Sequence, residues 1–222
     1  MGAGTQSDAL KIAGQDAAAT YQYVEAYNGS SWTNKTSTNN AHSGGTTCGG
    51  GAVNNCIVLI GANTNTEVYN AGLDTWTDKT TETRRDELMN GDSGGAGEGL
   101  TVAGYDQPDT GAIIATCRKY TLSTNAWSDS TAYPVATSSG GSFGLTGASD
   151  VVAFMGKTAS ADGGVAATFE FDGSAWATGN NVTRVRRTIG GCGPSGNGLT
   201  TNGYDGSFRD YTDTFSRPGK ST

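Results

Sequence analysis

Few residues of this chain are of types that could carry out chemistry, and they are widely separated. The 222 residues include a single histidine, His42, which stands beside a glycine-rich turn. A serine–histidine–acid triad requires a histidine that is hydrogen-bonded to a serine and to a carboxylate, and no nucleophile motif stands at a useful spacing from His42. We therefore expect His42 to be a solvated loop residue, and we predict no catalytic residue.

Acidic residues offer a second route to catalysis, because two carboxylates from different parts of a fold can together hydrolyse a glycosidic bond. The candidates are Asp86, Glu87, Asp92 and Glu98. The chain has 21 Asp and Glu residues, so such candidates arise from composition alone and solvation at the surface is the simpler interpretation. Asp106 and Asp109 are close in sequence, but two carboxylates fall short of the roughly six to eight oxygen ligands of calcium. The sequence predicts no metal site and no cofactor.

The four cysteines do not suggest a disulfide-rich scaffold or a zinc site. Cys48, Cys56, Cys117 and Cys192 are too few and too scattered for either. Cys48 and Cys56 fall on neighbouring strands of one predicted hairpin, so a disulfide between them is geometrically feasible. Buried free thiols are the alternative interpretation.

The charge of the chain limits the partners it could have. The formal net charge is −7, whereas proteins that bind nucleic acid usually carry a basic stripe. The one basic cluster, Arg184, Arg186 and Arg187, is short and lies at a predicted junction between repeats, where a structural role is the simpler interpretation. No segment reaches the ~18 apolar residues of a membrane span. The first 19 residues lack the basic and apolar regions of a secretory signal.

The elements that position these residues follow from an internal repeat. Five short apolar runs each end in a glycine: Gly14, Gly61, Gly104, Gly156 and Gly203. These glycines are 47, 43, 52 and 47 positions apart. A period of roughly 40 to 50 residues is typical of propeller blades.

Two further features recur in each unit. An aromatic residue, a turn and a tryptophan follow the first four glycines, at Tyr27 to Trp32, Tyr69 to Trp76, Tyr120 to Trp127 and Phe171 to Trp176. Such pairs indicate a tight hairpin with the two rings opposite each other across its strands. Glycine-rich segments at 43–49, 139–144 and 189–193 precede the apolar runs, and small residues suit innermost strands that approach one another closely. Each unit therefore reads as four strands.

This arrangement resembles the kelch repeat, whose blades place glycines after the second strand and a Tyr and a Trp at the hairpin of the third and fourth strands. The resemblance implies an all-β fold, a β-propeller of about five four-stranded kelch-like blades. A single domain would span residues 1–216, with units of about 1–42, 43–84, 85–135, 136–184 and 185–216, and 217–222 as a tail. The double glycine of kelch blades is single here.

The two ends of the repeat are the least regular parts. The fifth unit is expected to have its aromatic strand near residues 207–211 and lacks a tryptophan, for which Phe215 is the substitute. Either both termini complete one blade and close the propeller, or the array stays open and stacks on a neighbouring subunit through the bare edge of a blade.

Aromatic residues outside the repeat are the candidates for ligand binding. The four tryptophans recur once per unit, so we interpret them as packing between blades. Tyr105 and Tyr204 follow repeat glycines, and Tyr133 lies on a long connection, where binding surfaces tend to form. A tyrosine ring can stack on a sugar while neighbouring polar groups bind its hydroxyls. We predict a ligand site at Tyr105, Asp106, Tyr204, Asp205 and Tyr133, although Tyr-Asp at two equivalent positions could also serve turns alone.

Kelch-like repeats of this composition resemble those of bacteriophage and marine microbial surface proteins. The resemblance implies a non-enzymatic structural or adhesive propeller, a phage virion component of the tail, fibre or capsid decoration, located on the virion or an extracellular surface. Its partners would be other virion proteins or a host-surface glycan, with no nucleic acid, no membrane insertion, and a homo-oligomer through the incomplete end blade. The alternative is a secreted bacterial carbohydrate-binding or glycan-cleaving domain, and an intracellular kelch scaffold is a third.

Overall fold

The computed structural model describes residues 1–48, 53–54, 56–59, 63–83, 86–87, 97–106, 111–144, 147–159 and 164–217. Gly61, Asp92, Asp109 and residues 218–222 of the predicted tail lie outside the described residues. The described part of the chain is built of β-strands and contains no helix. It accordingly contains no helix long and apolar enough to cross a membrane.

The strands form five antiparallel sheets, here called blades 1 to 5. Blade 1 has β1 (Gly2–Gly4), β2 (Ala9–Gln15), β3 (Thr20–Tyr27) and β4 (Trp32–Lys35). Blade 2 has β5 (Thr46–Cys48), β6 (Ile57–Leu59), β7 (Thr66–Asn70) and β8 (Thr75–Lys79). Blade 3 has β9 (Asp86–Glu87), β10 (Glu98–Asp106), β11 (Ala112–Thr121) and β12 (Ala126–Ser130). Blade 4 has β13 (Gly141–Phe143), β14 (Val151–Phe154), β15 (Thr168–Phe171) and β16 (Trp176–Thr178), and blade 5 has β17 (Gly190–Cys192), β18 (Asn197–Thr201) and β19 (Thr212–Ser216).

The fold is an all-β propeller of five blades, which confirms the predicted architecture. Within each blade, strands that are consecutive in sequence are neighbours in the sheet. Blade 5 differs from the expectation of four strands, because only three are formed by its described residues. Its third strand was expected near residues 207–211 but is β19, and Phe215 lies opposite Gly198 of β18. Phe215 therefore occupies the position of the third-strand aromatic residue, not that of the missing tryptophan.

The repeated glycine marks a bend at the end of each second strand. Ala13 and Gly14 both have positive φ, of 49° and 133°, and the pairing of β2 with β3 shifts register between Ile12 and Gly14. The same pair of positive angles recurs at Ala103–Gly104, Met155–Gly156 and Asn202–Gly203. A φ above 100° is accessible to glycine but strained for other residues. This backbone requirement explains why the glycine is the most regular feature of the sequence.

The hydrophobic core is divided among the interfaces between consecutive blades, which we call seams. Apolar clusters join blades 1 and 2, 2 and 3, 3 and 4, and 4 and 5. Small residues allow close approach. A Cβ at Gly198 of blade 5 would lie 2.6 Å from two ring carbons of Phe143 of blade 4. No cluster of the described residues joins blades 5 and 1.

The seams also settle the state of the cysteines. Cys48 belongs to the cluster of blades 2 and 3, whereas Cys56 belongs to the cluster of blades 1 and 2. The two thiols therefore lie on opposite faces of blade 2, and neither they nor Cys117 form a disulfide. The disulfide between Cys48 and Cys56 is absent, and these three cysteines are buried in the reduced form.

Candidate functional site

The tryptophans hold consecutive blades together. In blades 2, 3 and 4, the indole Nε1–H donates a hydrogen bond to a backbone carbonyl of the connector, the segment that leaves the fourth strand of the preceding blade. The three bonds are Trp76 to Thr36, Trp127 to Thr80 and Trp176 to Thr131, each 3.0 Å long. Each ring also packs on the aromatic residue opposite it in its own hairpin. These contacts are packing between blades, as the sequence predicts.

A second contact fixes each connector, and in the first seam it involves the single histidine. His42 is fully buried, and its Nε2 lies 2.9 Å from Oε1 of Glu67. A carboxylate only accepts hydrogen bonds, so the Nε2–H group of His42 is the donor and Glu67 is the acceptor. Glu67 also accepts the backbone N–H groups of Asn39 and Asn40, both at 2.8 Å. The expectation of a solvated His42 is therefore wrong, because the connector folds it into the seam.

Glu67 is ionised in this site despite its burial. Burial by itself would raise its pKa, but the hydrogen bonds from His42, from the Asn40 side chain and from the Asn39 backbone outweigh it and hold the pKa of Glu67 below its ordinary value. The buried carboxylate is thus surrounded by donors from one connector. Its role in the described structure is to fasten that connector to blade 2.

The next seams use other residues at the same position of the third strand. In blade 3, Arg118 donates from Nε and Nη2 to the two carboxylate oxygens of the buried Glu82, at 2.8 and 3.2 Å. In blade 5, Asp213 accepts a hydrogen bond of 2.5 Å from Arg186, whose side chain is fully buried. Arg186 has the structural role that its position in sequence suggests.

Tyr133, one of the predicted ligand-binding residues, lies in the seam between blades 3 and 4. It is 2% exposed. Its ring packs edge-on against Phe169 at 5.1 Å and Trp176 at 4.9 Å, and its hydroxyl donates to the Ala153 carbonyl at 3.2 Å. Burial raises the pKa of this phenol. With both the ring and the hydroxyl engaged, Tyr133 fastens a connector and presents no open face to a ligand.

Tyr105 and Asp106 form the end of β10, directly after the glycine bend of blade 3. Tyr105 pairs with Glu87 of β9 on one side and with Ile113 of β11 on the other. Its ring is partly exposed, whereas Asp106 is buried. Ligand binding at these two residues stays a prediction.

The Asp that follows the glycine bend by two positions stabilises a turn in other blades. Asp16 Oδ1 accepts the N–H groups of Ala18 and Ala19 at 2.7 and 3.0 Å. Asn63, at the equivalent position of blade 2, accepts the N–H of Asn65 at 3.0 Å. These are the turns that Asx side chains form with their own backbone. The recurrence of this residue type is thus accounted for by turn chemistry.

Tyr204 and Asp205 belong to a group of aromatic and charged side chains on the connection between β18 and β19. The Tyr204 ring packs edge-on against Phe208 at 5.4 Å, and the Arg187 guanidinium lies 4.8 Å from its centroid. Asp205 forms an ion pair of 2.8 Å with Arg209, which holds the pKa of the Asp205 carboxyl below its ordinary value. We call these five residues the blade 5 patch.

Phe208 is one of two residues of this patch, with Arg209, that the sequence does not single out. It is 85% exposed, the highest fraction among the large apolar side chains of the described residues. The sequence places it on a strand, where an aromatic residue would be buried. The length of the segment between Gly203 and Thr212–Ser216, the next run of alternating residues, is the sequence signal that could have placed Phe208 on a connection.

Of the four carboxylates that could form a catalytic pair, the structure describes only the side chain of Glu98. Glu98 forms an ion pair with Lys119 at 3.0 Å, and both side chains are about one third exposed. The side chains of Asp86 and Glu87 lie outside the described residues. Among the residues that the structure describes, no group of three His, Cys, Asp or Glu residues could hold a metal ion.

Comparison with known proteins adds no relative. The chain matches none of the protein-family models against which it was scanned. A search of curated proteins finds no match to it. The fold is therefore established by the strand topology, which is that of a five-bladed β-propeller.

Proposed function

We propose that the protein is a non-enzymatic adhesive propeller that binds glycan through the blade 5 patch. The observation that carries this proposal is the exposed Phe208 ring, packed against Tyr204 and bordered by charged groups. Contact of an almost fully exposed aromatic ring with water is unfavourable, and the free energy falls when an apolar surface covers the ring. Isolated exposed apolar residues are common, but here two rings form one surface.

The chemistry of the patch suits a sugar. The apolar face of a pyranose can lie on the ring of Phe208 or Tyr204, while Asp205 accepts and Arg209 donates hydrogen bonds to hydroxyl groups. The ion pair between Asp205 and Arg209 fixes both groups without a bound ligand. The Arg187 guanidinium packs over the Tyr204 ring.

The use of the buried charged groups supports a binding protein over an enzyme. Glu67 and Asp213 each accept hydrogen bonds from a connector. Glu82 lies on a connector and accepts hydrogen bonds from Arg118 of the third strand of blade 3. Catalytic acids and bases need perturbed pKa values and access to a substrate. Here the lowered pKa values of Glu67 and Glu82 are explained by contacts that fasten blades.

We further propose that the repeat is of the kelch-like type and that the protein is part of a virion, as a tail, fibre or capsid decoration. The support is the spacing of the glycine and tryptophan features and the acidic composition rich in glycine, which resemble phage surface proteins. A host-surface glycan and other virion proteins would then be its partners. A secreted bacterial carbohydrate-binding or glycan-cleaving domain remains the alternative function, since it would use the same patch.

A glycan array probed with the labelled protein at neutral pH tests the binding site. We expect Tyr204→Ala and Phe208→Ala to abolish any hit, whereas Leu73→Ala, which removes an exposed apolar side chain from a turn of blade 2, leaves binding unchanged. Tyr105→Ala tests the other predicted site in the same assay. Hits that survive both patch variants would exclude the blade 5 patch, and release of reducing sugar by the purified protein would favour the glycan-cleaving alternative.

A further inference from the structure

The seam between blades 5 and 1 differs from the other four because side chains on both of its faces are exposed to solvent. A cavity lined by residues of β1, β5 and β17 shows that the inner strands of blades 1 and 5 face each other near the propeller axis. Farther out, Trp32 of blade 1 is 52% exposed and Leu199 of blade 5 is 40% exposed. We call this region the open seam.

The strand registers identify what should be buried there. Leu199 of blade 5 corresponds to residues of the other four second strands that are at most 2% exposed: Leu10, Ile57, Leu100 and Val152. On the opposite wall, Lys11 corresponds to the buried Val58, Thr101, Ala153 and Thr200. The side chain of Lys11 is 66% exposed. Positions that are covered in four seams are thus uncovered on both sides of the open seam.

Trp32 shows which contact is missing. In the other three blades that have a tryptophan, the indole N–H donates to a carbonyl of the connector in front of it. Within the described residues, the one aromatic ring that Trp32 contacts is that of Tyr27, at 5.2 Å, and its N–H has no acceptor. A ring in the same register and the same hairpin is therefore ready to receive a connector.

Glu25 shows which polar groups that connector should present. It lies opposite Lys11 on β3, as Glu67 lies opposite Val58 on β7. Glu67 binds two successive backbone N–H groups of the connector, whereas Glu25 forms an ion pair of 2.7 Å with Lys11. An exposed ion pair contributes little to stability, so the Glu25 carboxylate can exchange Lys11 for a stronger set of donors.

The edge of blade 5 supplies the place for the strand that would precede such a connector. β19 pairs with β18 through all five of its residues, and its other edge carries no strand among the described residues. An unpaired edge of this kind accepts an added antiparallel strand. In blade 1 the equivalent edge of β3 carries β4, which leads into the connector that fills the first seam.

We propose that the open seam is a binding site for an extended strand donated by a partner protein. The donated strand pairs with β19, and the segment after it lies across Trp32 and Glu25. Its chemistry is that of residues 33–42 of this chain, which fill the first seam: polar, rich in Thr and Asn, and without acidic residues. The absence of acidic groups follows from Glu25, which would repel them in a partly dehydrated site.

A synthetic peptide with the sequence of residues 33–42 tests this proposal on the full 222-residue chain. The peptide contains no tryptophan, so the emission of the protein reports its binding. We expect saturable binding with a blue shift and reduced acrylamide quenching, because the peptide covers Trp32. Trp32→Phe should remove the spectral change, and Glu25→Gln should weaken binding about tenfold or more, because the charged acceptor is lost.

Two matched controls make the result specific. A peptide with Asn39→Glu and Asn40→Glu places acidic groups against Glu25 and should not bind, and a scrambled peptide should not bind either. Leu73→Ala, remote from the seam, should bind the original peptide with unchanged affinity. Equal binding of the original and scrambled peptides, or no binding at all, would overturn the proposal. Light scattering tests whether a second copy of the chain fills the open seam instead. A molar mass of a dimer that does not fall when the peptide is added would show this and would overturn the proposal.

Discussion

Replacing Glu67 by glutamine tests whether polar contacts in the seams hold the propeller together. The side chains have nearly the same volume, so Glu67→Gln leaves the apolar packing of the first seam intact. It removes the negative charge and turns one carboxylate oxygen into an NH₂ group. Glu67 is fully buried and accepts hydrogen bonds from His42, from both nitrogens of Asn40, and from the Asn39 backbone. At least one of these donors must then face another donor.

The size of the effect follows from these contacts. A hydrogen bond to a charged group contributes about 1.5 to 3 kcal/mol, and a buried donor left without a partner costs about 1 to 3 kcal/mol. We expect Glu67→Gln to lower the free energy of unfolding by about 2 to 4 kcal/mol. For a domain of about this size, 1 kcal/mol shifts the midpoint of thermal unfolding by about 2 to 4 °C. The expected decrease in Tm is therefore about 5 to 15 °C.

The pH dependence of stability provides a second test of the contacts of Glu67. Because the folded-state pKa of Glu67 lies below its ordinary value of 4.5, the ionised form is stabilised by folding. Its contribution is fully present above the unfolded-state pKa and is lost as the pH falls through the folded-state pKa. The difference in stability between wild type and Glu67→Gln should thus narrow as the pH falls below the ordinary glutamate pKa of 4.5.

Urea unfolding followed by tryptophan fluorescence measures this difference, and the chain offers a matched control. Glu25 occupies the same register position in blade 1, but its ion pair with Lys11 is exposed. Glu25→Gln should cost less than about 1 kcal/mol. If Glu67→Gln costs no more than Glu25→Gln, or if the difference does not narrow in acid, the role assigned to the buried carboxylate is refuted.

Two further predictions concern packing and accessibility. Gly198→Ala places a methyl group against the Phe143 ring and should lower the free energy of unfolding in urea by about 1 to 3 kcal/mol. Gly72→Ala, in an exposed turn, is the control and should have little effect in the same urea titration. A wild-type urea midpoint for Gly198→Ala would contradict the close approach of blades 4 and 5. In a thiol titration with an aromatic disulfide, the exposed Cys192 should react rapidly in the folded protein and the other three cysteines only after denaturation. Rapid reaction of more than one thiol would show that the seams open. The three protected cysteines are Cys48, Cys56 and Cys117.

The sequence predicts the fold through the features that the backbone itself requires. The glycines after the second strands recur because that position has a φ that other residues tolerate poorly, as at Gly14 and Gly104. The tryptophans of blades 2, 3 and 4 recur because each makes the same hydrogen bond to the connector before it. Both features depend on local backbone geometry and recur at a regular spacing, so the sequence alone reveals them.

The contacts between connectors and third strands could not be predicted in the same way. His42 and Glu67 are 25 positions apart. The histidine does not recur at the equivalent position of the other seams, and the glutamate recurs only as Glu25 of blade 1. Tyr133 was expected to be accessible because connections usually are, but the connector carries it into the seam. The blade 5 patch was found in part, since Tyr204 and Asp205 follow a repeat glycine. Phe208 was assigned to a strand that the chain forms five residues later.

The variety of these contacts is itself informative about how the blades find their order. One register position of the third strand carries Glu67, Arg118, Phe169 and Asp213 in turn, and each side chain meets a different connector residue: His42, Glu82, Tyr133 and Arg186. Exchanging connectors would place Glu67 against Glu82 or Arg118 against Arg186, and buried like charges are strongly unfavourable. Backbone features shared by all blades thus define the repeat, while unshared side chains define the sequence of blades. By the same reasoning, Glu25 makes the open seam selective for the connector that it binds. A connector with a carboxylate at the position of Glu82 would be repelled by Glu25, whereas a connector like residues 39–42 would donate hydrogen bonds to it.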